Sequence, residues 1–248
     1  MQVIDNKTLA TYCNEYLNVA KFSDYCPNGL QIEGKSEITK IIAGVSANQE
    51  LIDQAIDEKA DALFVHHGFF WKNEKASITG IKKNRIKALL DNNINLFAYH
   101  LPLDAHPVVG NNIQLALRLK IQNPQPMGDT LVWKGQIDAP LSDVAQALHN
   151  VTGREPLIFG DADKPIRTIT WCSGGAQSYI EHAIEIDADC FITGEVSEQI
   201  PAIAKENNIA YISAGHHATE RYGVQALCQH LAQQFDLDYQ YIDIDNIV

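Results

Sequence analysis

The second half of the chain repeats the order of the first. KIIAGVS (40–46) and ALFVHHG (62–68) are short apolar runs, and NQELIDQAIDEK between them carries apolar residues at helical spacing. ITWCSGG (169–175), AQSYIEHAIEI and DCFITGE follow the same order. The two stretches align without gaps. Ile41 falls on Ile169, Ala55 on Ala183, Ile56 on Ile184, Ala60 and Asp61 on Ala188 and Asp189, and His67 on Glu195, each pair 128 positions apart. The second half then shortens, and Asn93-Ile94 matches Asn208-Ile209 at a spacing of 115.

Each repeat is preceded by a helix and a strand: TLATYCNEYL and NGLQIEG before the first, LSDVAQALHNVTG and EPLIFGD before the second. NLFAYHL (95–101) and AYISAGH (210–216) read as further strands, and NRIKALLDNN (84–93), IPAIAKENN and GVQALCQHLAQQF as helices. YQYIDI (239–244) reads as a closing strand. Alternating strands and helices predict βαβ units and a largely parallel sheet. The expected fold class is α/β, with two similar α/β domains from an internal duplication, at 1–124 and 125–248. The expected seam is IQNPQPMGD (121–129), rich in turn formers.

With 31 acidic against 19 basic residues, the net charge of −12 argues against a broad nucleic-acid-binding face. Cys13, Cys26, Cys172, Cys190 and Cys228 are odd in number and lack CxxC spacing, which suits reduced thiols. MQVIDNKTLATYC has no basic segment followed by an apolar run, and no apolar stretch approaches the roughly 20 residues of a membrane span. A cytoplasmic protein with no membrane partner is expected.

In open α/β sheets, ligands bind beyond the carboxyl ends of strands. ALFV leads into His66-His67-Gly68, and NLFAYHLPL into Asp104 and His106. CFITG leads into Glu195, and AYISAG into His216, His217 and Glu220. Six of nine histidines (66, 67, 100, 106, 216 and 217) lie at such ends. Each cluster also has a plainer reading. Paired histidines can be satisfied hydrogen-bond donors, Asp104 can cap a helix starting near Pro107, and Glu220 can be an early-turn acid. His66 and His67 would face opposite ways within a strand, so both turn inward only where it ends, with Gly68 giving the bend its freedom.

If the halves pack about a pseudo-twofold, His66, His67, Asp104, His216 and Glu220 converge. That set exceeds one tetrahedral zinc site and suits two divalent metal ions roughly 3.5–4 Å apart, bridged by a carboxylate. Zn, Fe, Mn, Co or Ni would each be acceptable. His216 and Glu220 share a helical face, while His217 projects about 100° away. His217, His100 and His106 are then neighbours of the metals or substrate-facing groups. Glu195, at the repeat position of His67, is a base, an outer partner or a surface glutamate. His100, His217 and Glu195 are the candidate catalytic residues.

Other signals are weak. Gly174-Gly175 at a strand-to-helix turn can bind an anion through backbone amides, and Ser173 and Ser178 have no histidine and acid at hydrolase spacing. Lys72, Lys75, Lys82, Lys83, Arg85 and Lys87 form a basic cluster that reads better as a solvated helix face than as a nucleic-acid channel.

SDYCPNGLQIEG (23–34), FVHHGFFWK (64–72), YHLPLDAHPVVGNN (99–112), WCSGG (171–175), FITGEVSEQ (191–199) and AGHHATERYG (214–223) together resemble the signature blocks of the Ngg-interacting-factor-like family. Its members are commonly catalogued as GTP cyclohydrolase 1 type 2 homologues. The resemblance runs from about residue 20 to the C-terminus and matches the short bacterial form. It implies two related α/β domains with a dinuclear site between them, and a toroidal homohexamer with its sites facing the cavity. Ligand roles fall on His66, His67, Asp104, His216 and the bridging Glu220. The implied activity is hydrolytic opening of the guanine ring of GTP. From the residues themselves the expectation is a metal-dependent hydrolase acting on a nucleotide or related small molecule. The alternatives are a metallophosphoesterase or nuclease and a non-catalytic metal-binding scaffold.

Overall fold

The computed structural model describes residues 3–248 and divides into two compact units. Of the described residues, the first comprises those up to Gly110 and 223–245, the second residues 111–222 and 246–248. This differs from a division at 124/125 with all later residues in the second domain. Ile113, Leu115 and Ala116 pack into the core of the second unit. Val224, Leu227, Cys228 and Leu231 pack into the core of the first. Apolar burial assigns these segments, and turn composition does not mark where it changes sides.

In the first unit, β1 (Ile4–Asp5) leads into α1 (Asn6–Tyr16), and β2 (Gly29–Ile32) is followed by β3 (Glu37–Ile38), which pairs with β1. Then come β4 (Lys40–Ser46), α2 (Gln49–Asp57), β5 (Ala62–His67), α3 (Gly80–Asp91), β6 (Asn95–Ala98) and the short α4 (Leu101–Ala105). The main sheet runs Asp238–Tyr241, β4, β5, β6, β2; its first four strands are parallel and β2 is antiparallel. Strand alternation sends Ile41, Ala43 and Phe64 to one face and Ile42, Leu63 and Val65 to the other. Leu9 and Cys13 of α1 cover the first face, and Leu51, Ile52 and Ala55 of α2 the second. Covering both faces is why these strands read as unbroken apolar runs.

The second unit has α5 (Asn111–Arg118), β7 (Gln122–Pro126), β8 (Trp133–Pro140), α6 (Leu141–Thr152), β9 (Leu157–Phe159), β10 (Pro165–Trp171), α7 (Ile180–Glu185), β11 (Cys190–Thr193), α8 (Ile200–Glu206) and β12 (Ala210–Ser213). The last helix, α9 (His216–Phe235), begins here, and its residues from Gly223 onward belong to the first unit. The sheet order is β7-β8-β10-β11-β12-β9, with β10, β11 and β12 parallel. The expected seam is therefore an edge strand: Gln122–Pro126 pairs antiparallel with β8, and Pro124 and Pro126 are tolerated because an edge needs fewer donors.

The order β4-β5-β6-β2 of one sheet matches β10-β11-β12-β9 of the other, with the same directions. Registers agree too: Ile41 faces Ala62 as Ile169 faces Cys190, and Ala62 faces Asn95 as Cys190 faces Ala210. The Asp61 carboxylate accepts the amides of Thr39 and Lys40 at 2.7 and 3.0 Å. That of Asp189 accepts those of Arg167 and Thr168 at 2.9 and 2.8 Å. Left-handed residues recur at Lys59 and Asp187, and at Asn93 and Asn208.

Two expected helices have different ends. AQSYIEHAIEI opens with a 3-10 turn at Gln177–Tyr179 before α7. The last helix starts seven residues before Gly223, at His216. Among the described residues, no helix is long and apolar enough to cross a membrane.

Candidate metal centre

Imidazoles lie at the end of β5 in the first unit and just beyond β12 in the second. In the first unit β5 terminates at His66-His67, whose ring centroids are 4.7 Å apart. Gly68 follows in ordinary backbone, outside the left-handed region. What it needs is the absence of a side chain: a Cβ there would lie 2.3 Å from Gln31 Oε1 and 2.6 Å from the Ala98 Cβ. Close approach, rather than freedom of φ, explains this glycine.

His66 is fully buried and sets its Nδ1 2.8 Å from the Tyr99 carbonyl oxygen. A carbonyl only accepts, so Nδ1 carries a hydrogen. Its Nε2 lies 3.5 Å from Asp104 Oδ1. Asp104 is buried within α4, and the next helix starts at Asn111, so Asp104 does not cap a helix near Pro107. His67 sets Nδ1 3.0 Å from Ser46 Oγ at the end of β4.

His100 occupies the position just before α4. Its Nδ1 is 2.7 Å from Asp24 Oδ1, and its amide donates to Asn28 Oδ1 at 2.7 Å. The ligand nitrogens of His66, His67 and His100 lie within 4.8 Å of one another. Asp24 and Cys26 form a second group of this kind with His100. The Cys26 thiol, however, is pushed up to about 12 by burial and by the Asp24 charge, which disfavours a thiolate ligand. Asp24 is a member of the site that sequence patterns do not reveal. Burial would raise its pKa, but hydrogen bonds from His100, Asn28 and the Tyr25 amide hold it below the usual carboxylate range.

In the second unit α9 begins at His216, so His216 and Glu220 stack one turn apart with Nε2 and Oε2 separated by 3.2 Å. Glu195, two residues past β11, places Oε1 2.6 Å from His216 Nδ1. Burial would lower the His216 pKa. Glu220 and Glu195, by hydrogen bonds and charge, outweigh that and hold it up to about 9. The metal-free ring is therefore an imidazolium clamped between two carboxylates at neutral pH. Glu195 is thus seen orienting His216, rather than standing as an isolated base. His217 is buried, and its amide donates to the Val248 carbonyl at 3.0 Å.

Gly174 makes room for this pair. Its φ is +70°, and a Cβ there would lie 2.0 Å from Glu220 Oε1. Its amide donates to Thr219 Oγ1, so a threonine hydroxyl occupies one of the two donors expected to hold an anion.

Two other expectations resolve differently. His106 Nδ1 accepts the amides of Val108 and Val109 while Nε2 donates to the Tyr16 carbonyl, so both nitrogens are used in holding the backbone. In the basic cluster, Lys82 pairs with Glu74 and Lys87 with Asp91, which supports a solvated helix face. A cleft of about 860 Å³, lined by Phe159, Lys164, Pro201 and Lys205 among others, contains none of the candidate site residues.

Four imidazoles thus carry an oxygen partner on Nδ1: a carbonyl, a hydroxyl and two carboxylates. Metal-ligating histidines use this arrangement: a carbonyl or carboxylate partner, as at His66, His100 and His216, puts a hydrogen on Nδ1 and orients the ring. With the neighbouring carboxylates of Asp104 and Glu220, the donors suit borderline to hard divalent ions.

Relatives share the whole chain. A Pseudomonas aeruginosa protein named GTP cyclohydrolase 1 type 2 homolog is 49% identical over 245 residues, covering 96% of this chain and 97% of its own. A Haemophilus influenzae protein of the same name is 50% identical, covering 98% and 99%. Among solved structures, protein ybgI, described as of unknown function, superposes with a TM-score of 0.94 at 46% identity, covering 99% and 100%. TTHA1606 from Thermus thermophilus superposes at 0.91 and 36%, with the same coverage. The family model for Duf34/NIF3 (NGG1p interacting factor 3) matches residues 4–246, and the chain belongs to that family.

Proposed function

We propose that the chain is a dinuclear divalent-metal hydrolase acting on a nucleotide or related small molecule. The observation that carries this reading is the orientation of the histidines. His66 and His67 in one unit and His216 in the other each have Nδ1 within hydrogen-bond distance of a protein oxygen, the way metal-ligating histidines are oriented. The residues that would hold the ions are His66, His67 and Asp104 of the first unit and His216 and Glu220 of the second. The matched topology and register of the two sheets support an origin by internal duplication.

Bound divalent ions would supply Lewis-acid polarisation of a substrate and a water-derived nucleophile at neutral pH. The protein's own part is to orient. Tyr99, Ser46 and Glu195 fix the imidazoles, and Gly174 leaves space for Glu220. His217 and His100 are the groups proposed to face the substrate. The hydrolytic chemistry and the nucleotide class draw on the name carried by the relatives, GTP cyclohydrolase 1 type 2 homolog. A homohexameric ring in the cytoplasm completes the proposal. The nuclease alternative loses support because lysines of the basic cluster are paired with acids.

The test is to screen protein reconstituted with Mn, Fe, Co, Ni or Zn against nucleotides, pterins and phosphodiesters, with Asp104→Ala as the blank. Turnover of a nucleotide that vanishes in the blank supports the reading. Turnover of a phosphodiester with GTP unchanged overturns it.

A further inference from the structure

Two aromatic side chains stand beside the imidazoles of the first unit without being buried there. Tyr25 is 59% exposed, and Trp71 is half-buried. Their ring centroids lie 6.4 and 5.0 Å from that of His100, at 63° and 85°. Trp71 also lies 5.9 Å from His67. Trp133 and Trp171, by contrast, pack into the core of the second unit. A single exposed ring is ordinary on a protein surface. What sets this pair apart is the backbone that carries it.

The Tyr25 amide donates to Asp24 Oδ1 at 2.6 Å, and the Tyr25 carbonyl accepts the Lys72 amide at 2.6 Å. The second bond ties the Tyr25 loop to the residue after Trp71. Phe70, just before Trp71, has a φ of +66°, which a bulky side chain rarely adopts. Glu74 holds this turn at two points. Its carboxylate accepts the Phe70 amide at 3.1 Å, and its amide donates to the Trp71 carbonyl at 2.9 Å. Lys82 Nζ lies 3.1 Å from the same Glu74 oxygen and 4.8 Å from the centroid of the Phe70 ring. Such backbone strain persists where the surroundings over-determine it, and it gathers at ligand clamps. Tyr and Trp rings on an anchored backbone offer contact area at little cost in entropy.

Charge narrows the ligand. Lys72 and Lys75, which follow Trp71, are exposed, and among the described residues neither is in an ion pair, unlike Lys82 and Lys87. In a chain of net charge −12, two unneutralised cations beside the rings favour an anion that also carries a planar ring.

We infer that Tyr25 and Trp71 are substrate-binding residues that receive the planar heteroaromatic base of a nucleotide by stacking, at the rim of the candidate metal centre. Stacking uses the π-face that every base has, so these residues select a ring without choosing among bases. The inference rests on the proposed nucleotide hydrolase and supplies the groups that hold the ring of its substrate.

The test titrates the full chain, incubated with Zn(II), with GMP and with ribose phosphate, which lacks the ring. Wild type is compared with Tyr25→Phe, Tyr25→Leu, Trp71→Phe and Trp71→Leu by calorimetry. Trp133 and Trp171 are 3% and 0% exposed, so quenching of wild-type tryptophan emission reports on Trp71. GMP is expected to quench that emission and to bind at least 10-fold more tightly than ribose phosphate. Each Leu variant should weaken GMP about 5- to 150-fold, the range of one lost base stack, while each Phe variant keeps most of the affinity. Wild type that binds GMP no better than ribose phosphate, or Leu variants that keep wild-type affinity, would overturn the inference. Thermal melts accompany each variant. If Trp71→Leu is destabilised, Tyr25→Leu decides, because its ring is exposed and its backbone bonds are unchanged. Nucleotide turnover with a KM unaltered in both Leu variants removes this inference and leaves the hydrolase standing. GMP stacking with no turnover in any metal-loaded form does the reverse.

Discussion

Glu195 Oε1 lies 2.6 Å from His216 Nδ1, and the two residues come from the ends of neighbouring parallel strands. The bond orients the imidazole and helps hold the His216 pKa up to about 9. Glu195→Gln removes the charge while keeping an acceptor. It should weaken metal binding about 10–100-fold and lower the His216 pKa in the metal-free protein. Competition with a chromophoric chelator measures the first and histidine NMR titration the second. Unchanged values in both would show that Glu195 is not the orienting group.

Gly174→Ala should damage the centre without unfolding the protein. The new Cβ would sit 2.0 Å from Glu220 Oε1, at a φ of +70°. The backbone cost is about 1 kcal/mol, but the displaced carboxylate should reduce bound metal sharply. Metal analysis beside a thermal melt separates the two effects. Full metal content with a lowered melting temperature would contradict the steric account.

Asp61 is buried and accepts the Thr39 and Lys40 amides, the Thr39 hydroxyl and an ion pair from Lys35. Asp61→Ala leaves these donors unmatched, at roughly 1–3 kcal/mol for a buried unsatisfied group. Burial acts to raise the Asp61 pKa, but Lys35 and the Thr39 and Lys40 donors hold it below its ordinary value of 3.8. Its stabilisation is therefore complete above that value and is lost as pH falls through the lower folded pKa. Urea midpoints of wild type and Asp61→Ala should differ at pH 7 and converge below about pH 4. A constant gap would contradict this.

His106 is locked neutral by its two amide donors and its carbonyl acceptor. Burial depresses its pKa below the ordinary 6.5. The unfolded chain takes up the proton first, so this residue's stabilisation is full above about 6.5 and declines as pH falls. His106→Asn can still accept an amide but does not titrate. Between about pH 7.5 and 5.5 wild type should lose more stability than the variant. Equal slopes would show that the ring does not act as a neutral cap.

Legibility followed the range of the interaction. His216 and Glu220 could be paired from sequence because helical spacing places them together. His66 and His67 could be placed because a strand end follows from composition, although the role of Gly68 depended on Gln31 and Ala98, which spacing does not reveal. Asp24 escaped because its partner is 76 positions away and an acid before Cys-Pro-Asn looks like any loop residue. His106 misled because imidazole at a strand end reads as a neighbour of the metals or a substrate-facing group, while its actual bonds to Val108, Val109 and Tyr16 depend on the tertiary fold. The shared strand order and register of the two sheets were legible in the 128-residue spacing, with Asp61 and Asp189 making the same amide contacts. The unit boundary was not, because Gln122–Pro126 has the composition of a linker and the pairing of an edge strand.

Metal content of the reconstituted full chain and of Glu220→Ala, by mass spectrometry of the bound ions, tests the central claim most directly. The account predicts close to two divalent ions per chain in wild type, as expected for paired-metal hydrolases. It predicts a sharp fall in Glu220→Ala, because the carboxylate beside His216 Nε2 is gone. Glu220→Ala protein that is folded and keeps the wild-type metal content would contradict the dinuclear centre.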